Sequence, residues 1–252
     1  VTAKLGWIRK FHTPASAGCP PLVIFPHAGS GASAYRAFSQ AFSRDFDVIV
    51  LQYPGRQDRA AEPMPAALPE VAAGALAEFL ESPWHRGVPV TVFGHSMGSM
   101  VGFEFVRQAE AAGVPVQLML ASGAVAPSRA ADMPPHPTEN DDELLDHMVS
   151  LNGTGAEVAA NRDIIRMALP ALRADYRAFD VYSCAPDVRV DARLHALGGT
   201  DDEHVTPYEL RLWARHSAHE VPVTLFDGGH FYLHDHVAAI ADLAAAAVAG
   251  VR

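Results

Sequence analysis

A mostly parallel β-sheet with helices on both faces is the fold class that this sequence predicts. Three observations lead there. Short apolar runs alternate with stretches of helical length between residues 22 and 249. One run leads into Gly94-His95-Ser96-Met97-Gly98, a G-x-S-x-G turn between a strand and a helix. With 49% hydrophobic residues in 252, the chain has enough apolar material for one sizeable α/β domain, read here as residues 1–252.

The elements follow in order. Leu22–Phe25, Val48–Leu51, Val90–Phe93, Leu118–Ala121, Leu194–Leu197 and Val221–Phe226 are β-branched or apolar apart from His195, as strands buried on both sides should be. Helices are expected over Ala32–Ser43, Leu68–Glu81, Ser99–Ala112, Pro207–His216 and Asp235–Ala249. Pro69 falls in a first turn, where its missing N–H is tolerated, and Gly113 stands where a helix-ending glycine belongs. The rhythm breaks between about residues 123 and 191. This stretch starts proline-rich (Pro127, Pro134, Pro135, Pro137) and continues with helical candidates at Asp141–Leu151 and Asn161–Phe179. At the carboxyl edge of a sheet, such an insertion is expected to be a helical lid. Plotted as a helix, its second half brings Arg162, Arg166, Arg173 and Arg177 together beside an apolar face. They form either a solvated face partly neutralised by Asp163, Asp175 and Asp180, or a docking strip for an acidic partner. Pro170 is expected to kink or break this helix.

Ser96 is the candidate nucleophile. Glycines on both sides let a strand and a helix meet closely enough to present its hydroxyl. A serine needs a base, and the base needs an orienting acid, in the chain order serine, acid, histidine. After the strand ending at Leu197 comes Gly198-Gly199-Thr200-Asp201-Asp202-Glu203-His204-Val205. Asp202 is the preferred acid and Asp201 the fallback. After the last strand, Asp227-Gly228-Gly229-His230-Phe231 supplies His230 as base. The oxyanion of the tetrahedral intermediate needs preorganised donors. Met97 N–H, directly after the nucleophile, is one. Ala28 N–H, in the loop Pro26-His27-Ala28-Gly29-Ser30-Gly31, is the other candidate. Among the other histidines, His95 is read as structural, His27 as orienting that loop, and His216 and His219 as surface residues.

Composition excludes several functions. A net charge of −10 argues against nucleic acid and anionic membranes, both of which need a basic surface. Of 19 basic residues only Lys4 and Lys10 are lysines, so recognition of anions falls to guanidinium groups. No G-x-G-x-x-G or P-loop sequence is present, the cysteines lack metal-site spacing, and His230, His234 and His236 lack a paired acidic or cysteine partner, so neither a cofactor nor a metal is expected. Cys19 and Cys184 are read as reduced thiols. No signal core or membrane-length apolar run occurs, and a cytoplasmic, soluble monomer is the expectation.

These motifs resemble a known family. The oxyanion loop from Phe25, the segment Tyr53-Pro54-Gly55-Arg56-Gln57-Asp58-Arg59, the elbow at Ser96 and Gly229-His230-Phe231 look like those of type II thioesterases of the α/β-hydrolase superfamily. These are editing enzymes of polyketide synthases and non-ribosomal peptide synthetases. The P-G-R-x-x-R segment is the most discriminating piece. The resemblance implies hydrolysis of aberrant or stalled acyl groups from the phosphopantetheine arm of acyl or peptidyl carrier proteins. It also implies that arginines such as Arg56, Arg59 or the helical strip dock an acidic carrier. A general carboxylesterase or acyl-coenzyme A thioesterase, and a non-catalytic carrier-binding module, are the competing expectations.

Overall fold

The computed structural model describes residues 6–151 and 162–250, apart from the side chains at 149 and 162–167. Seven strands form one sheet: β1 (Ile8–Arg9), β2 (Pro21–Phe25), β3 (Asp47–Leu51), β4 (Val90–His95), β5 (Val116–Ser122), β6 (Arg193–Gly199) and β7 (Val223–Phe226). Their order is β1-β3-β2-β4-β5-β6-β7. All neighbours run parallel except β1, which pairs antiparallel with β3 at the edge. This is the α/β architecture that the alternating runs predict. The two-residue β1 is too short to leave a pattern in the sequence.

Alternate strand residues feed opposite faces, as the two-residue strand period requires. Val23, Phe25, Ile49, Val92, Met119 and Ala196 face one core with helices α2 (Leu68–Glu81) and α3 (Met97–Ala111). Leu22, Ile24, Val48, Phe93, Leu120 and Leu197 face the other with α1 (Arg36–Phe42) and Ile240 and Ala244 of the carboxyl-terminal helix, Val237–Ala249. Several expected helices begin or end in tighter 3₁₀ turns. Ala32–Tyr35 precedes α1, and Leu212–His216 follows a short helix, Pro207–Arg211, whose amino end is capped by Thr206.

Between β5 and β6 lie a 3₁₀ turn, Pro127–Asp132, and helices α4 (Asp141–Leu151) and α5 (Arg162–Asp180). Numbered onward, Pro207–Arg211 is α6 and Val237–Ala249 is α7. Leu144 and Leu145 of α4, with Leu169, Leu172 and Tyr176 of α5, join the α2–α3 core. Of the expected kink or break at Pro170, the break does not occur: α5 continues through this exposed residue. Asn161, the first residue of the expected helix, lies outside the described residues. Among the described residues no helix is long and apolar enough to cross a membrane. Cys19 and Cys184 form no disulfide.

Parallel pairing decides where the functional loops lie. In-register pairs Phe25↔Gly94, His95↔Ser122, Ser122↔Leu197 and Gly199↔Phe226 line up the carboxyl ends of five strands. The loops after β2, β4, β6 and β7 therefore leave from one edge, the place where open α/β sheets carry their sites.

Candidate active site

The elbow is strained and tightly packed. Ser96 sits at φ 53°, ψ −124°, a conformation that non-glycine residues rarely adopt. Its N–H donates to Ser122 O at 2.8 Å. Ser99 Oγ donates to Gly94 O at 2.9 Å and accepts from Ser122 N–H at 3.1 Å, fastening α3 to the ends of β4 and β5. A Cβ on Gly94 would strike the Gly98 backbone, and one on Gly98 would strike the carbonyls of Phe25 and Pro26. Gly98→Ala is therefore expected to cost about 3 kcal/mol or more, because only backbone stands in the way. Gly18→Ala, with nothing near its Cβ, should change stability by less than about 0.5 kcal/mol. Urea midpoints of the two variants give the comparison.

Asp202 and His230 meet. Asp202 Oδ2 lies 2.8 Å from His230 Nδ1, and both residues are buried. Asp202 Oδ1 accepts the amides of His204 at 2.9 Å and Val205 at 3.1 Å. Burial works to raise the Asp202 pKa, but the His230 hydrogen bond and charge and the two amides bring it below the ordinary carboxylate value. An ionised carboxylate only accepts, so Nδ1 carries the proton and Nε2 is the ring nitrogen left to act as base. The fallback acid, Asp201, is exposed. Ser96 and His230 line one cavity of about 230 Å³. Ser96 Oγ has no hydrogen-bond partner among the described residues, so Asp202–His230 is the contact already closed and Ser96–His230 the one still open. Catalytic hydrogen bonds of this type often tighten only when substrate is bound.

The loop after β2 is tethered at nearly every residue. Tyr53 Oη donates to Pro26 O at 3.1 Å. His27 Nδ1 meets Tyr35 Oη at 2.8 Å, and Ser30 N–H donates to His27 O. Gly29, at φ +73°, donates its N–H to Asp175 Oδ2 at 2.8 Å. Among the described residues, Ala28 N–H and Met97 N–H have no acceptor. Two unpaired amides thus lie on the loop and elbow named for the oxyanion.

His95, read as structural, is fully buried. Its Nδ1 meets Ser122 Oγ at 2.9 Å, which in turn meets Tyr232 Oη at 2.6 Å, and its ring lies 5.1 Å from that of His230. His216 is not a surface residue: it is fully buried between Val188 O (2.7 Å) and Ser128 Oγ (2.9 Å). Both ring nitrogens find partners there, which removes the cost of burying them. His219 is exposed.

The arginines are the main correction. Arg56 and Arg59 are only 5% and 3% exposed, so neither can dock a carrier. Arg56 forms a two-pronged pair with Asp175, at 2.6 Å on each prong. Arg59 reaches Gln52 O at 2.8 Å and Glu62 at 2.6 Å, and covers the Trp7 ring. The P-G-R-x-x-R segment is an internal brace. On α5, Arg173 binds Thr138 O and Asp141, and Arg177 binds Glu139 at 2.9 Å, so both are neutralised locally. The side chains of Arg162, Asp163 and Arg166 lie outside the described residues. Asp175 and Asp180 do not neutralise a strip: Asp175 serves Arg56, and Asp180 holds His136 at 2.5 Å. Sequence reasoning missed the Arg56–Asp175 pair. The available signal was an aspartate on the apolar face of α5, between Leu172 and Tyr176.

Residues of the 123–191 insertion wall most of the cavity: Met133, Pro134, His136, His147, Leu151, Tyr176 and Phe179. His136 stacks on Tyr176 at 3.8 Å between ring centroids, and His147 lies 5.2 Å from His136. Burial, then His136, His204 and His230, lower the His147 pKa to about 4; burial, then His234, His230 and Arg56, lower His27 to about 3. Each would take a proton near its ordinary value of 6.5 once unfolded. Below that pH the unfolded chain binds more protons than the folded one, so stability falls as pH drops from about 6.5 towards 5. Urea midpoints should decline over that window, and His147→Gln should flatten the slope. A wild-type midpoint independent of pH there would refute this. Among the described residues, no group of three His, Cys, Asp or Glu side chains is placed to hold a metal ion.

A strained serine elbow, a buried Asp–His pair and unpaired amides at the carboxyl edge of a parallel sheet define the α/β-hydrolase fold class. Within it, the chain belongs to the thioesterase family: the thioesterase domain model matches residues 20–247. Among similar proteins, phenyloxazoline synthase MbtB of Mycobacterium tuberculosis is 42% identical over 96% of this chain, and thioesterase PikA5 of Streptomyces venezuelae is 36% identical over 91%. The chain spans 17% of the length of MbtB and 80% of that of PikA5. The solved type II thioesterase BorB from the borrelidin biosynthetic cluster is 36% identical, with a TM-score of 0.78, covering 96% of this chain and 95% of its own. The chain is thus similar along its length to a solved type II thioesterase of a biosynthetic cluster.

Proposed function

We propose that this chain is an editing thioesterase that hydrolyses short acyl groups from the phosphopantetheine arm of acyl or peptidyl carrier proteins. The observation that carries the reading is His230, held by Asp202, sharing one mostly apolar cavity with Ser96 and Met97, whose amide, like that of Ala28, has no acceptor among the described residues. In this mechanism His230 Nε2 takes the Ser96 proton as Oγ attacks the thioester carbonyl. The Ala28 and Met97 amides hold the oxyanion. The thiolate leaves and takes that proton back from the imidazolium as the free thiol; the neutral imidazole then deprotonates a water that attacks the acyl-enzyme, and the acid is released as the proton returns to Ser96 Oγ. Asp202 keeps the imidazole in the useful tautomer and stabilises its cation.

Size supports the substrate class. A cavity of about 230 Å³ is small for a ligand site, which suits a short acyl group. Residues 123–191 act as the lid of a single catalytic domain, limiting water and leaving room for a slim arm. The relatives' biosynthetic settings support a carrier-bound substrate. Hydrolysis of a panel of acyl-carrier proteins, acyl-coenzyme A and acetylcysteamine thioesters tests this. Carrier-bound short acyl groups should turn over fastest. Preference for free coenzyme A esters would favour the general acyl-coenzyme A thioesterase instead.

A further inference from the structure

The loop that bears Ala28 is held by a residue of α5. Asp175 is fully buried, and its carboxylate serves two masters. Oδ1 and Oδ2 take the Arg56 guanidinium at 2.6 Å each. Oδ2 also accepts the Gly29 N–H at 2.8 Å, one residue from the Ala28 amide. Arg56 completes the bracket through Ser30 O at 3.3 Å and Pro54 O at 3.1 Å. One turn earlier on α5, Leu172 packs over Gly29, where a Cβ would touch it. The carboxylate is thus the only acceptor for the Gly29 amide among the described residues, and it comes from the insertion rather than from the sheet.

Peptide planes are rigid, so fixing the Gly29 N–H fixes the Ala28 carbonyl and narrows the orientation of the Ala28 N–H. Gly29 sits in the left-handed region, which it would leave readily without that bond. We propose that Asp175 is a positioning residue for the oxyanion hole: clamped by Arg56, it aims the Ala28 amide through Gly29, so the hole is complete only while α5 is seated. This rests on the assignment of Ala28 and Met97 as oxyanion donors. A conventional lid only admits or excludes substrate. Here the seating of the lid helix also sets the strength of transition-state stabilisation.

Breaking the pair singly leaves a buried charge and endangers folding. The test therefore compares two double variants, each free of both charges. Arg56→Met/Asp175→Leu fills the space and removes the Gly29 acceptor. Arg56→Met/Asp175→Asn fills it and keeps an amide oxygen for Gly29. With an acetylcysteamine thioester, the Leu variant should lose about tenfold or more in kcat with KM unchanged, as a misplaced oxyanion donor predicts. A trifluoromethyl ketone, whose adduct places an oxyanion in the hole, should bind it more weakly by a similar factor. The Asn variant should recover most of both. Equal kcat in the two variants, or a loss confined to KM, would overturn the proposal. If Ser96→Ala retained full turnover, the assignment of the site itself would fail, an outcome distinct from either.

Discussion

Replacing Ser96 with alanine is expected to lower kcat for a carrier-bound acyl thioester by about 10⁴-fold or more, with the fold intact. The methyl group fits wherever the hydroxymethyl group does, and Ser96 Oγ makes no hydrogen bond that the fold would miss. The backbone strain at Ser96 is carried by the glycines around it and by the Ser122 and Ser99 bonds, all of which remain. What disappears is the oxygen proposed to form the acyl-enzyme. The variant should show no burst of released thiol and no labelling by a fluorophosphonate. Residual turnover would come from the amides and the cavity acting on water, which in serine hydrolases leaves only a small remainder. Labelling of the alanine variant at another residue would place the nucleophile elsewhere.

The second large effect belongs to Asp202→Asn, and its direction can be worked out atom by atom. The His204 and Val205 amides both donate to Oδ1, so in the variant they select the carbonyl oxygen for that position. The side-chain NH₂ is then forced to the place of Oδ2, 2.8 Å from His230 Nδ1. A donor there requires Nδ1 to accept, which moves the ring proton to Nε2. The imidazole then meets Ser96 with a hydrogen instead of a lone pair and cannot act as base. A fall of about 10⁴-fold in kcat is expected, with KM for the acyl group little changed. Asp201→Asn, at an exposed carboxylate, should leave turnover unaltered. A mild effect at Asp202 would mean that the imidazole is oriented by other groups.

Both results concern residues whose place was legible in the chain. The strands from β2 to β7 are runs of β-branched and apolar residues, and parallel pairing then brings loops from distant segments to one edge. The G-x-S-x-G turn is readable because close approach of α3 to β2 tolerates only glycine. Contacts between residues far apart in sequence, with no shared motif, were not legible. Arg56 and Asp175 are 119 residues apart, and either alone resembles a solvated charge. The same holds for His216, whose partners Ser128 and Val188 lie on separate segments. Continuation of α5 through Pro170 was also hidden, since a lone proline ordinarily argues for a break.

The proposed reacting groups and most of the chamber wall are written in different stretches of the chain. Ser96, Met97, Asp202 and His230 hang from strand ends, whereas Met133, His147, Leu151, Tyr176 and Phe179 all come from the segment between β5 and β6. Mutation can therefore reshape which molecules enter while the chemical apparatus stays constant. Diversification of appetite within a lineage would be concentrated in that segment, with Leu172 and Asp175 as its fixed anchors.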